Sequence, residues 1–136
     1  MNMVQVELSK IIIDEKNDEQ AVVLREKDGV RQVPIAIGFV EASSIQMCIA
    51  GVTTPRPLTH DLLVAVIQSL EAKVEYILID DLVEGTFFAK LSLKDNAGNI
   101  VLVDCRPSDG IALAVRSRTP IFVEEKVFHQ ALTLDM

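Results

Sequence analysis

The sequence has few basic residues, no long uncharged apolar run and few cysteines, and each shortage excludes a class of protein. It carries 13 Lys and Arg against 20 Asp and Glu, for a net charge of −7. It has no basic run of any length, which excludes a module that binds nucleic acid through charge alone. The longest uncharged stretch, 42–55, contains Ser, Gln, Thr and Gly, so it is not a membrane-spanning helix.

The two cysteines argue against a disulfide framework. Cys48 and Cys105 are far apart and form no C-x-x-C spacing. Each follows the local apolar pattern, so we expect both to be small core residues in a reducing, cytoplasmic setting. Strand-like alternation begins at the N-terminus, and we expect no signal peptide.

The apolar content is enough for a single globular domain over residues 1–136. Apolar residues make up 49% of the chain and charged residues 24%. A chain of this length can bury a core without disulfides or structural metals. No linker or low-complexity segment divides it.

The order of patterns along the chain indicates an internal duplication. Each half has an alternating strand, an acidic turn, a second strand, a tight hairpin turn, a third strand and a helix. The predicted elements span 4–8, 21–25, 33–39 and 42–50 in the first half, and 74–78, 87–93, 100–105 and 109–117 in the second. The alignment predicts matching buried pairs: Ile35 with Val101, Ile37 with Val103, and Ile45 with Ile111.

The duplicated β-β-β-α unit predicts an α+β domain, with a twisted, mainly antiparallel sheet and helices packed on it. A further helix is predicted over 59–72, where an apolar stripe has helical spacing. A short strand over 121–123 and a terminal helix complete the domain. The apolar stripe consists of Leu62, Leu63, Val66, Ile67 and Leu70. The terminal helix is expected to turn Val127, Phe128 and Ala131 inward.

Two polar motifs lie where helices are predicted to begin. Residues 55–62 read PRPLTHDL and residues 104–110 read DCRPSDG. Each places an arginine beside a proline, followed by a hydroxyl residue and an acid. A guanidinium, a helix N-terminus and carboxylates together suit a phosphate or a hydrated metal ion. The first copy of the repeat has no arginine at its equivalent junction, 38–43, so the difference between the copies is a candidate for function.

Structural roles are the alternative for the same residues. Thr59 and Ser108 are expected helix N-caps. Asp61 and Asp109 suit the positive end of the helix dipole, and the arginines can simply pair with nearby acids. Arg116 and Arg118 are interpreted as the cationic end of their helix, and Asp80, Asp81 and Glu84 as a solvated turn.

The two motifs together resemble the bifunctional nuclease domain family over nearly the whole chain. The resemblance implies an α+β fold, self-association as a homodimer or larger homo-oligomer, and the nuclease activity on RNA and DNA attributed to plant members. Gly110 stands where we expect alanine in that family.

The residues permit a nuclease mechanism as a hypothesis. Mg²⁺ or Mn²⁺ would let an acidic protein approach a polyanion. The assigned roles are Arg56, Arg106, Ser108 and Thr59 for phosphate binding, Asp104 and Asp109 for the metal, and His60, Asp61 and Asp109 for catalysis, with His60 as general base. Two alternatives stay open: a non-catalytic module that binds a nucleotide or other anion, and a structural homodimer whose polar motifs form a salt-bridge network.

Overall fold

The computed structural model describes residues 2–16 and 18–134. Within these residues the chain forms seven strands and four helices. They are β1 Met3–Asp14, β2 Glu19–Glu26, β3 Gln32–Ile37, α1 Phe39–Ile49, α2 Thr59–Ser69, β4 Lys73–Val83, β5 Thr86–Lys94, β6 Ile100–Cys105, α3 Pro107–Ser117, β7 Ile121–Glu124 and α4 Glu125–Leu134.

All seven strands belong to one sheet with the order β3-β2-β1-β7-β4-β5-β6. Only β4 and β7 pair in parallel, and the other neighbouring strands pair antiparallel. The short β7 lies at the centre, with one β-β-β unit on each side. The predicted α+β class with a mainly antiparallel sheet is confirmed, and the β-β-β-α order occurs twice along the chain. No helix in the described part of the chain is both long and apolar enough to cross a bilayer.

Helix α3 lies at the centre of the helical layer. It contacts α1 and α2 as well as strands β4 and β5. Nearly every residue in its first two turns is buried, including Ile111, which is fully enclosed. A Cβ added at Gly110 would lie 3.0 Å from Ile77 Cγ2 and 3.2 Å from Cys105 Sγ. The glycine therefore allows α3 to approach β4 more closely than an alanine would.

The predicted burial of the repeat was correct in the helices and wrong in the third strands. Ile45 and Ile111 are both fully buried. Ile35 is buried, but its predicted counterpart Val101 is 50% exposed, as are all of residues 100–104 in β6. Both β3 and β6 are edge strands, but α4 contacts β3, whereas no helix makes an extensive contact with β6 among the described residues.

The remaining pair, Ile37 and Val103, also differs in burial. Ile37 packs against the core, whereas Val103 is exposed. The structure also shifts the correspondence by two residues. The strand ends at Ile37 and the helix begins at Phe39 in one copy, and the same junction runs from Cys105 to Pro107 in the other.

The apolar stripe of α2 mostly faces away from the core. Of the stripe, Ile67 alone packs partly against the core, and Leu62, Leu63, Val66 and Leu70 are exposed. The helix docks through His60, Val64 and Ile67 instead, since hydrogen bonds at its N-terminus turn the polar residues inward.

Several predicted boundaries also moved. Helices α1 and α3 begin earlier than predicted, and α2 ends at Ser69 rather than at residue 72. The interpretation of Asp80 and Asp81 as a solvated turn was wrong, because both lie within β4 and only Glu84 and Gly85 separate β4 from β5. The acidic turn predicted after the first strand covers residues 14–19, and its residue 17 lies outside the described residues.

Substitutions at Ile111 and Val101 test the different burial of the two repeats. We expect Ile111→Ala to lower the free energy of unfolding by about 2–5 kcal/mol, because it removes a fully buried side chain. Val101→Ala should change it by no more than about 0.5 kcal/mol. Urea unfolding of both variants measures the difference, and equal losses would contradict the exposure of β6.

Candidate polar centre at the helix junction

Three helices each carry an acid at the third position after the N-cap. The N-caps are Gly38 in α1, Leu58 in α2 and Arg106 in α3. The acids are therefore Glu41, Asp61 and Asp109. Carboxylates in the first turn are stabilised by the positive end of the helix. The expected N-caps Thr59 and Ser108 were wrong, since these residues occupy the first and second helical positions.

His60 joins the two sequence motifs. Its side chain is only 10% exposed. Nδ1 lies 2.9 Å from Ser44 Oγ and Nε2 lies 2.9 Å from Asp109 Oδ1. The ring thus connects α1, α2 and α3, and both of its nitrogens have hydrogen-bond partners within the protein.

Arg116 forms the buried part of the same network. Its guanidinium donates to Asp61 Oδ1 over 2.7 Å, to Ser44 Oγ over 3.0 Å and to the Ala112 carbonyl over 3.1 Å. The side chain is 8% exposed. Its interpretation as merely the cationic end of a helix missed this role. The available signal was its spacing of seven residues from Asp109, which places both on one side of α3.

The hydrogen-bond chain fixes the neutral tautomer of His60. A guanidinium can only donate and an ionised carboxylate can only accept. Because Arg116 donates to Ser44 Oγ, the hydroxyl hydrogen of Ser44 is free to point at His60 Nδ1. The proton of the neutral ring is then on Nε2, where it is donated to Asp109.

Two of the first-turn acids are held in the ionised form. Burial raises the pKa of Asp109, but hydrogen bonds from His60 and Arg106 outweigh it, so the pKa lies below its ordinary value. The hydrogen bond from Arg116, followed by that from the Leu58 amide, lowers the pKa of Asp61. Neither carboxylate is therefore a strong base near neutral pH.

Arg106 forms the solvent side of the network. Its Nε donates to Asp109 Oδ2 over 3.0 Å and its Nη2 to Glu41 Oε1 over 3.3 Å. Nη1 has no hydrogen bond to the described residues, and the side chain is 67% exposed. Arg106 also lines an open cleft of about 560 Å³, together with Gly38, Pro107 and Ser108.

Three of the predicted site residues lie apart from this network. Arg56 and Thr59 are exposed, and neither side chain has a polar contact to the described residues. Asp104 is exposed on β6 and faces Lys90 Nζ at 3.4 Å. The structure thus brings together His60, Asp61, Arg106 and Asp109 from the predicted set, with Ser108 beside the cleft. It adds three residues that the sequence analysis did not assign: Glu41, Ser44 and Arg116.

The geometry does not fit the predicted Mg²⁺ or Mn²⁺ site. Oxygen donors for such an ion must converge, yet Asp104 faces a lysine while Asp109 accepts hydrogen bonds on both oxygens. Among the described residues, no group of three or more His, Cys, Asp or Glu is placed to hold a metal ion. Metal ligation by Asp104 and Asp109 stays a prediction.

Comparison with known proteins gives a consistent family match. The bifunctional nuclease domain matches residues 22–135. An uncharacterized protein of Mycobacterium tuberculosis is 41% identical over 129 residues, which are 95% of this chain and 76% of that protein. Bifunctional nuclease 1 of Arabidopsis thaliana is 29% identical over 108 residues, covering 77% of this chain and 33% of the plant protein. Bifunctional nuclease 2 of Oryza sativa subsp. japonica is 29% identical over 119 residues, covering 85% and 36%. The chain thus spans about a third of these plant relatives.

Acid titration tests the ionised state of Asp109. Its contribution to stability should be complete above the ordinary aspartate pKa of about 3.9 and lost as pH falls through the lower folded pKa. Wild-type stability should therefore fall more steeply than that of Asp109→Asn between about pH 5 and pH 2. Urea midpoints across this range measure it, with Asp28→Asn in an exposed turn as control. Parallel curves for wild type and Asp109→Asn would contradict the assignment.

The tautomer of His60 is testable by nuclear magnetic resonance. Where the ring is neutral, we expect ¹⁵N shifts that place its proton on Nε2. Ser44→Ala removes the hydroxyl that faces Nδ1 and should cost about 1–3 kcal/mol of stability, because a buried acceptor loses its donor. Ser43→Ala, one residue away in α1, is the matched control. A proton on Nδ1 in the wild type would overturn the hydrogen-bond directions given above.

Proposed function

The chain belongs to the bifunctional nuclease domain family, and we propose that it hydrolyses phosphodiester bonds of RNA or DNA. One observation carries the proposal beyond the family: the two sequence motifs meet where Asp109 contacts both His60 and Arg106. The plant relatives are named bifunctional nucleases, which supports a nucleic acid as the substrate.

Arg106 is the residue best placed to bind the phosphate. Its Nη1 nitrogen has no hydrogen-bond partner among the described residues, and the guanidinium is at the edge of the cleft beside the N-terminus of α3. A guanidinium and a helix N-terminus both attract phosphate oxygens. This local attraction suits a chain of net charge −7, which has no general affinity for polyanions. Arg56 and the hydroxyls of Thr59 and Ser108 are proposed to extend this binding surface.

Hydrolysis also requires a water to lose a proton as it attacks the phosphorus. His60 as general base and Asp61 as a catalytic acid group remain proposals. The position of His60 limits how it could act as a general base. Its Nδ1, the nitrogen with the free electron pair, faces Ser44 in the interior. A proton from a water can therefore reach Nδ1 only if the bond to Ser44 opens, whereas Asp109 lies between the ring and the solvent.

A non-catalytic role is the second candidate. The hydrogen bonds within the polar network favour it, because they leave its central residues no free donor or acceptor for a substrate. Both ring nitrogens of His60 have protein partners, and each nitrogen of Arg116 donates within the protein. Such a network holds three helices together without any substrate. The exposed nitrogen of Arg106 would then bind a nucleotide or another anion without cleaving it.

The cellular compartment and the oligomeric state are further parts of the proposal. Both cysteines are free thiols, which supports a reducing cytoplasm. Self-association into a homodimer or larger homo-oligomer also remains a proposal.

Cleavage assays with matched variants test the nuclease proposal. Purified protein should degrade labelled single-stranded RNA or DNA, and the assay is run with Mg²⁺, with Mn²⁺ and with a chelator. His60→Ala should slow cleavage about 10²-fold or more if the ring is the general base. Arg106→Ala should weaken substrate binding and leave the fold intact, because the side chain is mostly exposed. Asp109→Asn keeps the shape of the side chain and removes its charge.

Arg25→Ala is the control for Arg106→Ala, since Arg25 is also an exposed arginine. Parallel purification of all variants separates the activity of the protein from that of a contaminating nuclease. If His60→Ala, Arg106→Ala and Asp109→Asn stay folded and cleave as fast as wild type, the polar centre is not a nuclease site. Loss of anion binding in Arg106→Ala without any cleavage in the wild type would support the binding module.

A further inference from the structure

Arg106 lies between two carboxylates that use most of its hydrogen-bond donors. Its Nε donates to Asp109 Oδ2 over 3.0 Å, and its Nη2 donates to Asp109 Oδ1 over 3.4 Å. Nη2 also donates to Glu41 Oε1 over 3.3 Å. A guanidinium has five N–H hydrogens, one on Nε and two on each terminal nitrogen. The hydrogens of Nε and Nη2 are therefore used within the protein, which leaves Nη1 without a partner among the described residues.

Glu41 limits how Arg106 can contact a phosphate. The side chain is 19% exposed and belongs to the first turn of α1. Its carboxylate lies over the end of its own helix, where it would collide with a Cβ added at Gly38. An arginine binds phosphate most strongly when two of its nitrogens donate at once. While Nη2 donates to the two acids, Arg106 can contact a phosphate through Nη1 only.

The polar centre carries more negative than positive charge, although its most exposed member is an arginine. The network joins two guanidiniums, Arg106 and Arg116, to the first-turn acids of α1, α2 and α3, while neutral His60 adds no charge. Three carboxylates and two cations leave one negative charge. Arg56, if it extends the surface as proposed above, brings this balance to zero, and Lys90 is already paired with two acids. The site therefore cannot neutralise a ligand with two negative charges.

We propose that Glu41 is a specificity-determining residue, which makes the site accept a phosphodiester and reject a phosphomonoester. The proposal rests on the proposed function, because it assumes that the substrate phosphate binds at Arg106. A phosphodiester of a nucleic acid carries one negative charge, whereas a phosphomonoester carries about 1.5 to 2 at pH 7. The additional charge meets the Glu41 carboxylate instead of an unpaired cation. The substrate class is therefore the internal linkage of a strand rather than a free nucleotide or a terminal phosphate.

The same selectivity acts on the product of hydrolysis. Water forms a bond from its oxygen to the phosphorus, one P–O ester bond breaks, and the leaving oxygen takes up a proton. One product is an alcohol and the other is a phosphomonoester, which releases its second proton to the solvent. The phosphate beside Glu41 then carries about one more negative charge than the substrate did, so the site holds the product less tightly than the substrate.

Thymidine 5′-monophosphate and its methyl ester test the selectivity directly. The two probes share base and sugar and differ by one methyl group and one negative charge. Their dissociation constants are measured by nuclear magnetic resonance titration at about pH 8 without divalent metal, where the monoester is a dianion. We expect wild type to bind the methyl ester at least about 3-fold more tightly than the monoester.

Glu41→Gln keeps the size of the side chain and removes its charge. It should tighten binding of the methyl ester about 3-fold and of the monoester about 10-fold, because the Coulomb energy doubles with the charge of the ligand. The preference for the methyl ester should therefore disappear. Glu125→Gln is the matched control, since Glu125 is also a first-turn glutamate paired with an arginine, Arg31, and its loss changes the net charge equally. This control should keep the wild-type preference.

Circular dichroism establishes that each variant is folded, and the wild-type preference tests the proposal without any variant. Equal or tighter binding of the monoester by wild type would overturn the proposal. A preference that persists in Glu41→Gln, or disappears equally in Glu125→Gln, would also overturn it. If neither probe binds to wild type, phosphate binding by Arg106 fails together with this inference. If the preference is found and no strand is cleaved, the selectivity stands and the nuclease proposal alone fails.

Discussion

The burial of the Arg116 guanidinium constrains how helices α1, α2 and α3 pack together. A guanidinium enclosed in a protein needs an acceptor for its donors, because unpaired buried charge is costly. Arg116 obtains these acceptors from all three helices: Asp61 of α2, Ser44 of α1 and the Ala112 carbonyl of its own helix. The three helices therefore cannot shift relative to one another without breaking a hydrogen bond of a buried cation. This requirement turns the N-terminal polar residues of α2 inward, and the apolar stripe of the same helix is left outside.

The same constraint determines which residue of the network has a donor open to solvent. Arg116 donates to the oxygen of Ser44, so the Ser44 hydroxyl donates its hydrogen to Nδ1 of His60. The neutral ring then carries its proton on Nε2 and donates it to Asp109. The chain of donors runs from the interior to the surface and ends at a carboxylate that Arg106 also binds. Every side-chain nitrogen of His60 and Arg116 has a hydrogen-bond partner in the protein, whereas Nη1 of Arg106 has none among the described residues. Arg106 is therefore the cation of this network with a donor available for a further acceptor.

Local patterns predicted the strands and the hairpins, because each depends on neighbouring residues. The Asp95 turn, for example, uses its own carboxylate to bind the amides of Ala97 and Asn99. The contact between the two motifs, His60 with Asp109, joins residues 49 apart, and no local pattern predicts it. The apolar stripe of α2 does not identify the inward face of the helix, because periodicity locates an apolar face but not the surface that covers it. Arg116 was missed for a related reason: Asp61 and Ser44, two of its partners, lie on other helices, which a local pattern does not reveal. The exposure of β6 likewise depends on tertiary structure, since α4 contacts the edge strand β3 and no helix makes an extensive contact with β6 among the described residues.

The charged centre depends on one difference between the two β-β-β-α units of the chain. Glu41 and Asp109 occupy the same position in the first turn of the two equivalent helices. The N-cap before them differs, since α1 has Gly38 and α3 has Arg106. A side chain at Gly38 would collide with the Glu41 carboxylate, which folds back over its own helix end. With arginine in the second copy, the guanidinium lies between the two equivalent acids and binds both. Arg106 thus links the N-terminal ends of α1 and α3 through two ion pairs.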